Sequence, residues 1–425
     1  MRRTWLTAVI LLLAVLVVGG CRWGLRPYAG GSSLAPSAVL IARGRYLATA
    51  ADCMACHTGP GHPPFSGGLV IPTKFGALVS TNITPDKATG IGGWSGRQFY
   101  RALHEGIAPG HDWLVFPHYL YPAMPYTAYT KLRYADVMAI KAYLDSLKPV
   151  YAPDAPDHLG FPYNQRPLLL VWRVLFFTPG PMRMNPQWST SVQNGAYLTV
   201  ALGHCGECHT PRNLLQASLS GKALAGAAIN GFFAPNISSS RVYGIGAWSQ
   251  ANLVAYLHAG GNKVTGSAYG PMRMVVEDST SRLPVSDIED MAAYLQQATI
   301  PQSTKWLSSV PDASASIVRG AALYASRCAM CHGAEGGGVG GRMVPNLAGN
   351  SSLTAGGGDN IISALLAGLP PWTPNGPAMP AFGRQLSNQQ IADISNYLRT
   401  AWENKGIPSV TKAQVAEQRG QGVGR

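Results

Sequence analysis

The pattern Cys-X-X-Cys-His occurs three times, as CMACH at Cys53 to His57, CGECH at Cys205 to His209 and CAMCH at Cys328 to His332. It takes six of the seven cysteines, so the chemistry of these residues is built into the chain three times over. A closed zinc site needs four ligands, and each cysteine pair here stands alone. A thioredoxin-like disulfide uses two cysteines but gives no reason for a histidine directly after them. Covalent haem attachment uses every residue: the thiols add to the vinyl groups as thioethers, and one helical turn brings the histidine beneath the iron. Three chance matches in 425 residues are negligible. We read Cys53, Cys56, Cys205, Cys208, Cys328 and Cys331 as attachment points for three haem c groups, with His57, His209 and His332 as the first axial ligands of the iron.

More than the motif recurs. Upstream stand ARGRYLATAADCMACH, VQNGAYLTVALGHCGECH and IVRGAALYASRCAMCH, each with a glycine eight to ten residues before the first cysteine. Downstream, Val137, Ile140, Tyr143 and Leu144 share their spacing with Ile288, Met291, Tyr294 and Leu295, and with Ile391, Ile394, Tyr397 and Leu398. That spacing puts one apolar face on a helix. The first two copies also share GIGGWS at Gly90 and GIGAWS at Gly244, whose Trp94 and Trp248 are expected to pack. The expected fold is mainly α: three tandem class I cytochrome c-like domains at 38–148, 191–298 and 316–402, with long irregular loops. Joins at 149–190 and 299–315 and a loose polar tail at 403–425 complete the division. The 49 glycines and 32 prolines, which follow no period, fit small units joined by loops.

Between motif and last helix, each copy carries a methionine in a proline-containing loop: Met124 in YPAMPYT, Met272 in YGPMRMV and Met379 in GPAMPAF. A thioether is a soft neutral ligand that raises haem potential, and a rigid loop can hold it opposite the histidine. Met274 competes with Met272. Second histidines are the rival ligands, at His104, His111 and His118 in the first copy and His258 in the second. The third copy has none after His332, so methionine is the consistent choice. Pro345 in VPNLAG is a candidate to offer its carbonyl to His332. GAEGGGVGGR lacks the strand, Lys-Ser/Thr ending and helix of a phosphate loop.

The first 21 residues read as an export signal, with Arg2 and Arg3 before a short apolar run and Cys21 placed like a lipoprotein cysteine. Export suits haem attachment, which takes place outside the cytoplasm. The charge of +13 falls to +11 without Arg2 and Arg3, no basic run of five appears, and haem propionates would offset much of the rest. Nucleic acid is not an expected partner. RPLLLVWRVLFFTPGP, from Arg166, is too short for a span and carries Arg173. We expect it to pack into an interface, with an exposed docking strip as the alternative.

Five longer stretches carry a family resemblance: NITPDKATGIGGWS at Asn82, YPAMPYTAYTKLRYADV at Tyr121, FPYNQRPLLLVWRVLFF at Phe161, GHCGECHTPRN at Gly203 and MPAFGRQLSNQQIADISNYL at Met379. Through them the chain resembles the triple-haem cytochrome c subunits of bacterial membrane-bound alcohol dehydrogenases that use pyrroloquinoline quinone. Similar subunits serve flavin-dependent gluconate, sorbitol and fructose dehydrogenases and molybdenum-dependent aldehyde dehydrogenases. The resemblance implies an electron relay on the periplasmic face, from a catalytic quinoprotein, flavoprotein or molybdenum subunit toward ubiquinone or a terminal oxidase at the membrane surface. With histidine and methionine at every iron, no site is left for substrate, and no nicotinamide, flavin or quinone-cofactor fingerprint appears. The competing expectations are a haem enzyme with one open iron, such as a peroxidase or reductase, and a stand-alone electron carrier.

Overall fold

The computed structural model describes residues 37–112, 116–229, 231–262, 264–302, 308–338, 344, 346–371 and 376–421. The export segment with Cys21, and Pro345, lie outside the described residues. The chain divides into two compact units between Arg183 and Met184.

In the first unit, α1 (Ala38–Ala50) starts at Ser37, whose hydroxyl accepts the amide of Leu40. A hairpin follows, β1 (Val70–Thr73) and β2 (Gly76–Val79). Helix α2 (Gly96–Glu105) opens on a reciprocal cap between Ser95 and Gln98 and closes on left-handed Gly106. Strands β3 (Ile107–Asp112) and β4 (Phe116–Tyr119) pair antiparallel. After α3 (Tyr134–Asp145), the segment expected to be a join folds back onto the unit. Its β5 (His158–Leu159) pairs with the free edge of β2, and its α4 (Leu169–Phe176) buries one side only.

That one-sidedness answers both readings of the apolar strip. Leu170, Phe177 and Arg173 are buried, the Arg173 guanidinium lying 5.0 Å from the ring centres of Tyr119 and Phe177 and donating to the Glu105 carbonyl. Leu168, Val171, Val174 and Leu175 on the other side are exposed.

The second unit begins with α5 (Thr190–Ala196), which runs on into a π-helical turn at Tyr197–Leu202. A hairpin, β6 (Ala227–Ile229) and β7 (Phe232–Ala234), precedes α6 (Gln250–Ala259), α7 (Pro271–Asp278) and α8 (Val285–Gln297). The remainder is α9 (Ala313–Arg327), α10 (Asp359–Ala367), α11 (Asn388–Thr400) and α12 (Lys412–Gly420).

Three helix crossings repeat. Gly44 on α1 meets α3 at the Ala139 carbonyl, Gly195 on α5 meets α8 at the Asp290 carbonyl, and Gly320 on α9 meets α11 at the Asp393 carbonyl. At each, a Cβ would stand within about 2 Å of the oxygen, so only glycine allows the approach. The apolar face of each later helix behaves alike: Val137, Ile140 and Leu144, Ile288, Met291 and Leu295, and Ile391, Ile394 and Leu398 are buried, while Tyr143, Tyr294 and Tyr397 are half-buried.

The glycine-to-cysteine spacing differs between copies, and the backbone absorbs the difference. In the third copy α9 runs straight to Cys328. In the first, one extra residue is taken up at left-handed Asp52, φ 52°. In the second, the π turn and His204, φ 38°, take up two.

One expectation is corrected. As far as Gln421, the tail after Trp402 is not loose: α12 is capped by Thr411, buries Val415 completely and bonds Asp359 through Gln414 and Gln418. Ala413 and Ala416 are exposed, so one buried side chain and two hydrogen-bonded glutamines seat the helix, which composition alone hides. Among the described residues, no helix is long and apolar enough to cross a membrane.

Candidate haem sites

Each Cys-X-X-Cys-His stretch forms a single helical turn. The amide of His57 donates to the Cys53 carbonyl at 3.0 Å, that of His209 to Cys205 at 2.9 Å, and that of His332 to Cys328 at 3.0 Å. Each histidine carbonyl then accepts the amide of a left-handed glycine: Gly67 at 2.8 Å, Gly226 at 2.8 Å and Gly338 at 2.7 Å. Those glycines press against the backbone one residue ahead of a recurring position. A Cβ on Gly67 would meet the Ser80 carbonyl, on Gly226 the Ala234 carbonyl and on Gly338 the Val344 carbonyl.

In the first two copies the position so reached is the partner of the histidine ring. His57 Nδ1 lies 2.7 Å from the Thr81 carbonyl oxygen and His209 Nδ1 lies 2.6 Å from that of Pro235. A carbonyl only accepts, so Nδ1 carries the proton and the lone pair is left on Nε2. Burial lowers the pKa of both imidazoles and keeps them neutral, against the opposing pull of the same carbonyls. A neutral imidazole with a free Nε2, oriented by a backbone acceptor, is a metal ligand in the state that binding requires. The donor set at these two turns therefore fits a haem held by the adjacent cysteines.

Burial first, then the Asp52 carboxylate, pushes the Cys53 thiol up to about 12, and burial pushes Cys205 to about 12 and Cys328 to about 11. In these surroundings the three leading thiols stay protonated. The six cysteines form no disulfide with one another.

A family model described as Cytochrome c matches residues 317–402. The chain is 35% identical over 413 residues to the cytochrome c subunit of a quinone-type alcohol dehydrogenase from Gluconacetobacter polyoxogenes, covering 90% of this chain and 85% of that one. The chain belongs to the family of cytochrome c subunits of bacterial dehydrogenases. It is also 37% identical over 394 residues to the fructose dehydrogenase cytochrome subunit of Gluconobacter japonicus, covering 86% of this chain and 79% of that one. With one of the nicotinate dehydrogenase subunits of Pseudomonas putida it shares 38% identity over 370 residues, 85% of this chain, and it spans only 30% of that relative's length.

In this cytochrome c subunit the three candidate methionines are all half-buried. Met124 sits in a turn closed by its amide on the Tyr121 carbonyl. Met379 exchanges both backbone hydrogen bonds with Leu369 and packs, with Cys328, against the core of the third copy. Met272 differs from expectation: it is the second residue of α7, aimed by a helix start at Pro271 instead of a loop. Met274, its competitor, is 43% exposed. Among the rival histidines, His104 stacks on Tyr100 at 4.7 Å, and His118 Nδ1 lies 3.2 Å from an Asp112 carboxylate oxygen. His111 is exposed on β3 and His258 is half-buried in the last turn of α6.

The glycines of the shared GIGGWS and GIGAWS motifs close on the turn that follows each histidine partner. Gly90 and Gly244 lie against the Thr84 and Ser238 carbonyls, and Gly92 and Gly246 against those of Pro85 and Ser239, with no room for a Cβ. The serines that end the motifs cap α2 and α6. Sequence reasoning missed Thr81 and Pro235. Their signal was the following asparagine: Asn82 Oδ1 accepts from both groups of Thr84, and Asn236 Oδ1 from both of Ser238, so Thr-Asn-Ile and Pro-Asn-Ile form one turn, which Pro-Asn-Leu repeats in sequence at Pro345.

Proposed function

We propose that this chain is a three-haem electron relay, and that it carries electrons from a catalytic dehydrogenase partner to ubiquinone at the periplasmic face of the bacterial cytoplasmic membrane. Each of three cytochrome c-like domains holds one haem: Cys53, Cys56, His57 and Met124 the first, Cys205, Cys208, His209 and Met272 the second, Cys328, Cys331, His332 and Met379 the third. When bound, the groups supply one-electron redox chemistry at iron. The protein's own part is to hold the ligands. The cysteine turns fix the histidine backbones, Thr81 and Pro235 orient two of the rings with Nδ1 protonated, and the methionines close the far side against water and small ligands.

The observation that carries this reading is the threefold recurrence of one arrangement: a helical cysteine turn, a left-handed glycine on the histidine carbonyl, and a glycine crossing between the helices before and after. The relatives support the partner class. Similar cytochrome subunits are named for alcohol and fructose dehydrogenases, so the substrate is set by the partner, and here that partner oxidises an alcohol, sugar, sugar acid or aldehyde. The exposed side of α4, with Leu168, Val171, Val174 and Leu175, gives a surface for that complex or for the bilayer face.

Carbon monoxide tests the relay. Reduced holoprotein with methionine at every iron binds none within minutes; rapid stoichiometric binding at one haem would make the chain a haem enzyme with an open site.

A further inference from the structure

The outer edge of the hairpin that leads to the histidine partner is covered in both units, by different means. In the first unit, β2 leads through Ser80 to Thr81, and its outer edge pairs with β5. In the second unit, β7 leads directly to Pro235, and among the described residues no strand pairs with its outer edge. A side chain from the third copy takes that place. Asn360, in the first turn of α10 and 5% exposed, accepts the Phe233 amide on Oδ1 at 2.9 Å and donates from Nδ2 to the Phe233 carbonyl at 2.9 Å.

A carboxamide presents a donor and an acceptor in one plane, as a peptide does, so Asn360 pairs with Phe233 as a one-residue strand. Its neighbours Ile361 and Ile362 are buried and apolar, and an amide buried among them is costly unless both its groups are bonded. Three further contacts tighten the clasp. Ser363 donates to the Gly231 carbonyl at 2.6 Å. The Phe233 ring lies against left-handed Gly356, where a Cβ would meet it at 2.4 Å. The buried Arg399 donates to the Gly356 carbonyl at 2.8 Å and holds that loop in place.

We propose that Asn360 is a positioning residue for His209: by fixing β7 from the third copy, it sets the Pro235 carbonyl against the imidazole Nδ1 of the second. This rests on the reading of His209 as an axial ligand. The third copy thus does for the second what β5 does for the first, and the ligand field of one haem is made to depend on a residue of its neighbour's domain. A loosened carbonyl makes the imidazole a weaker donor, which favours reduced iron and raises the potential.

The test is a redox titration of the full-length holoprotein followed by haem absorbance. Haem peptides of the wild type are counted first, since a missing haem on Cys205 and Cys208 would defeat the reading of His209 itself, separately from the role of Asn360. Met272→His and Met379→His, each lowering one transition, identify the second and third haems. Asn360→Ala is expected to raise the transition identified by Met272→His and leave the other two in place, with far-ultraviolet dichroism unchanged. An unmoved second transition, or movement of the third alone, overturns the proposal. Should Asn360→Ala give no holoprotein, Ser363→Ala is read in the same way, with a smaller rise of the same transition expected and the same outcomes overturning it.

Discussion

Gly44 lies so close to Ala139 that a Cβ would stand 1.9 Å from its carbonyl oxygen, and Gly320 meets Asp393 in the same way at 2.1 Å. Both obstacles are backbone, in the middle of helices, and neither can turn aside. Gly44→Ala or Gly320→Ala should therefore force the helices apart and cost about 3 kcal/mol or more. Chemical denaturation followed by haem absorbance checks this, and a change below about 0.5 kcal/mol would mean the helices do not cross there.

Met272 and Met274 are two residues apart on α7, one half-buried and the other 43% exposed. Oxidised Met272→Ala should lose one haem's share of the weak far-red sulfur-to-iron band, and Met274→Ala should keep all of it. The opposite result would assign the ligand to Met274.

Arg399 is fully buried, and its guanidinium donates to the carbonyls of Ile407, Leu353, Ala355 and Gly356. Burial lowers its pKa to about 10, still charged at neutral pH. Arg399→Leu leaves those carbonyls without their donor, and a loss of at least about 3 kcal/mol is expected in the same denaturation assay.

His104 has its pKa lowered by burial from the ordinary 6.5 to about 4. The folded chain therefore stays neutral there while the unfolded chain takes up a proton below pH 6.5. Its contribution to stability is complete above that pH and is lost as pH falls toward 4. His104→Gln should flatten the stability profile between pH 6.5 and 4; an unchanged slope would show that other groups set it.

Much of this is legible in the sequence because the signals are local. The cysteine turns obey helix geometry at fixed spacing, and the buried faces of α3, α8 and α11 follow from their shared periodicity. What cannot be read depends on variable loops. Gly67, Gly226 and Gly338 do the same work at different distances from their histidines, so lining up the copies by spacing hides them. Thr81 acts through its backbone, which side-chain identity does not announce. Asn360 is a buried amide whose purpose lies on a strand of another copy. As far as Gln421 the tail is ordered against its composition, because a helix resting on Val415 and hydrogen-bonded glutamines needs little apolar content.

Three covalent haems on one chain are visible in the intact mass of the exported, denatured protein. The expected result is a polypeptide carrying three haem adducts, with tryptic fragments placing one each on Cys53 and Cys56, Cys205 and Cys208, and Cys328 and Cys331. A fully matured protein with two adducts or fewer would contradict it.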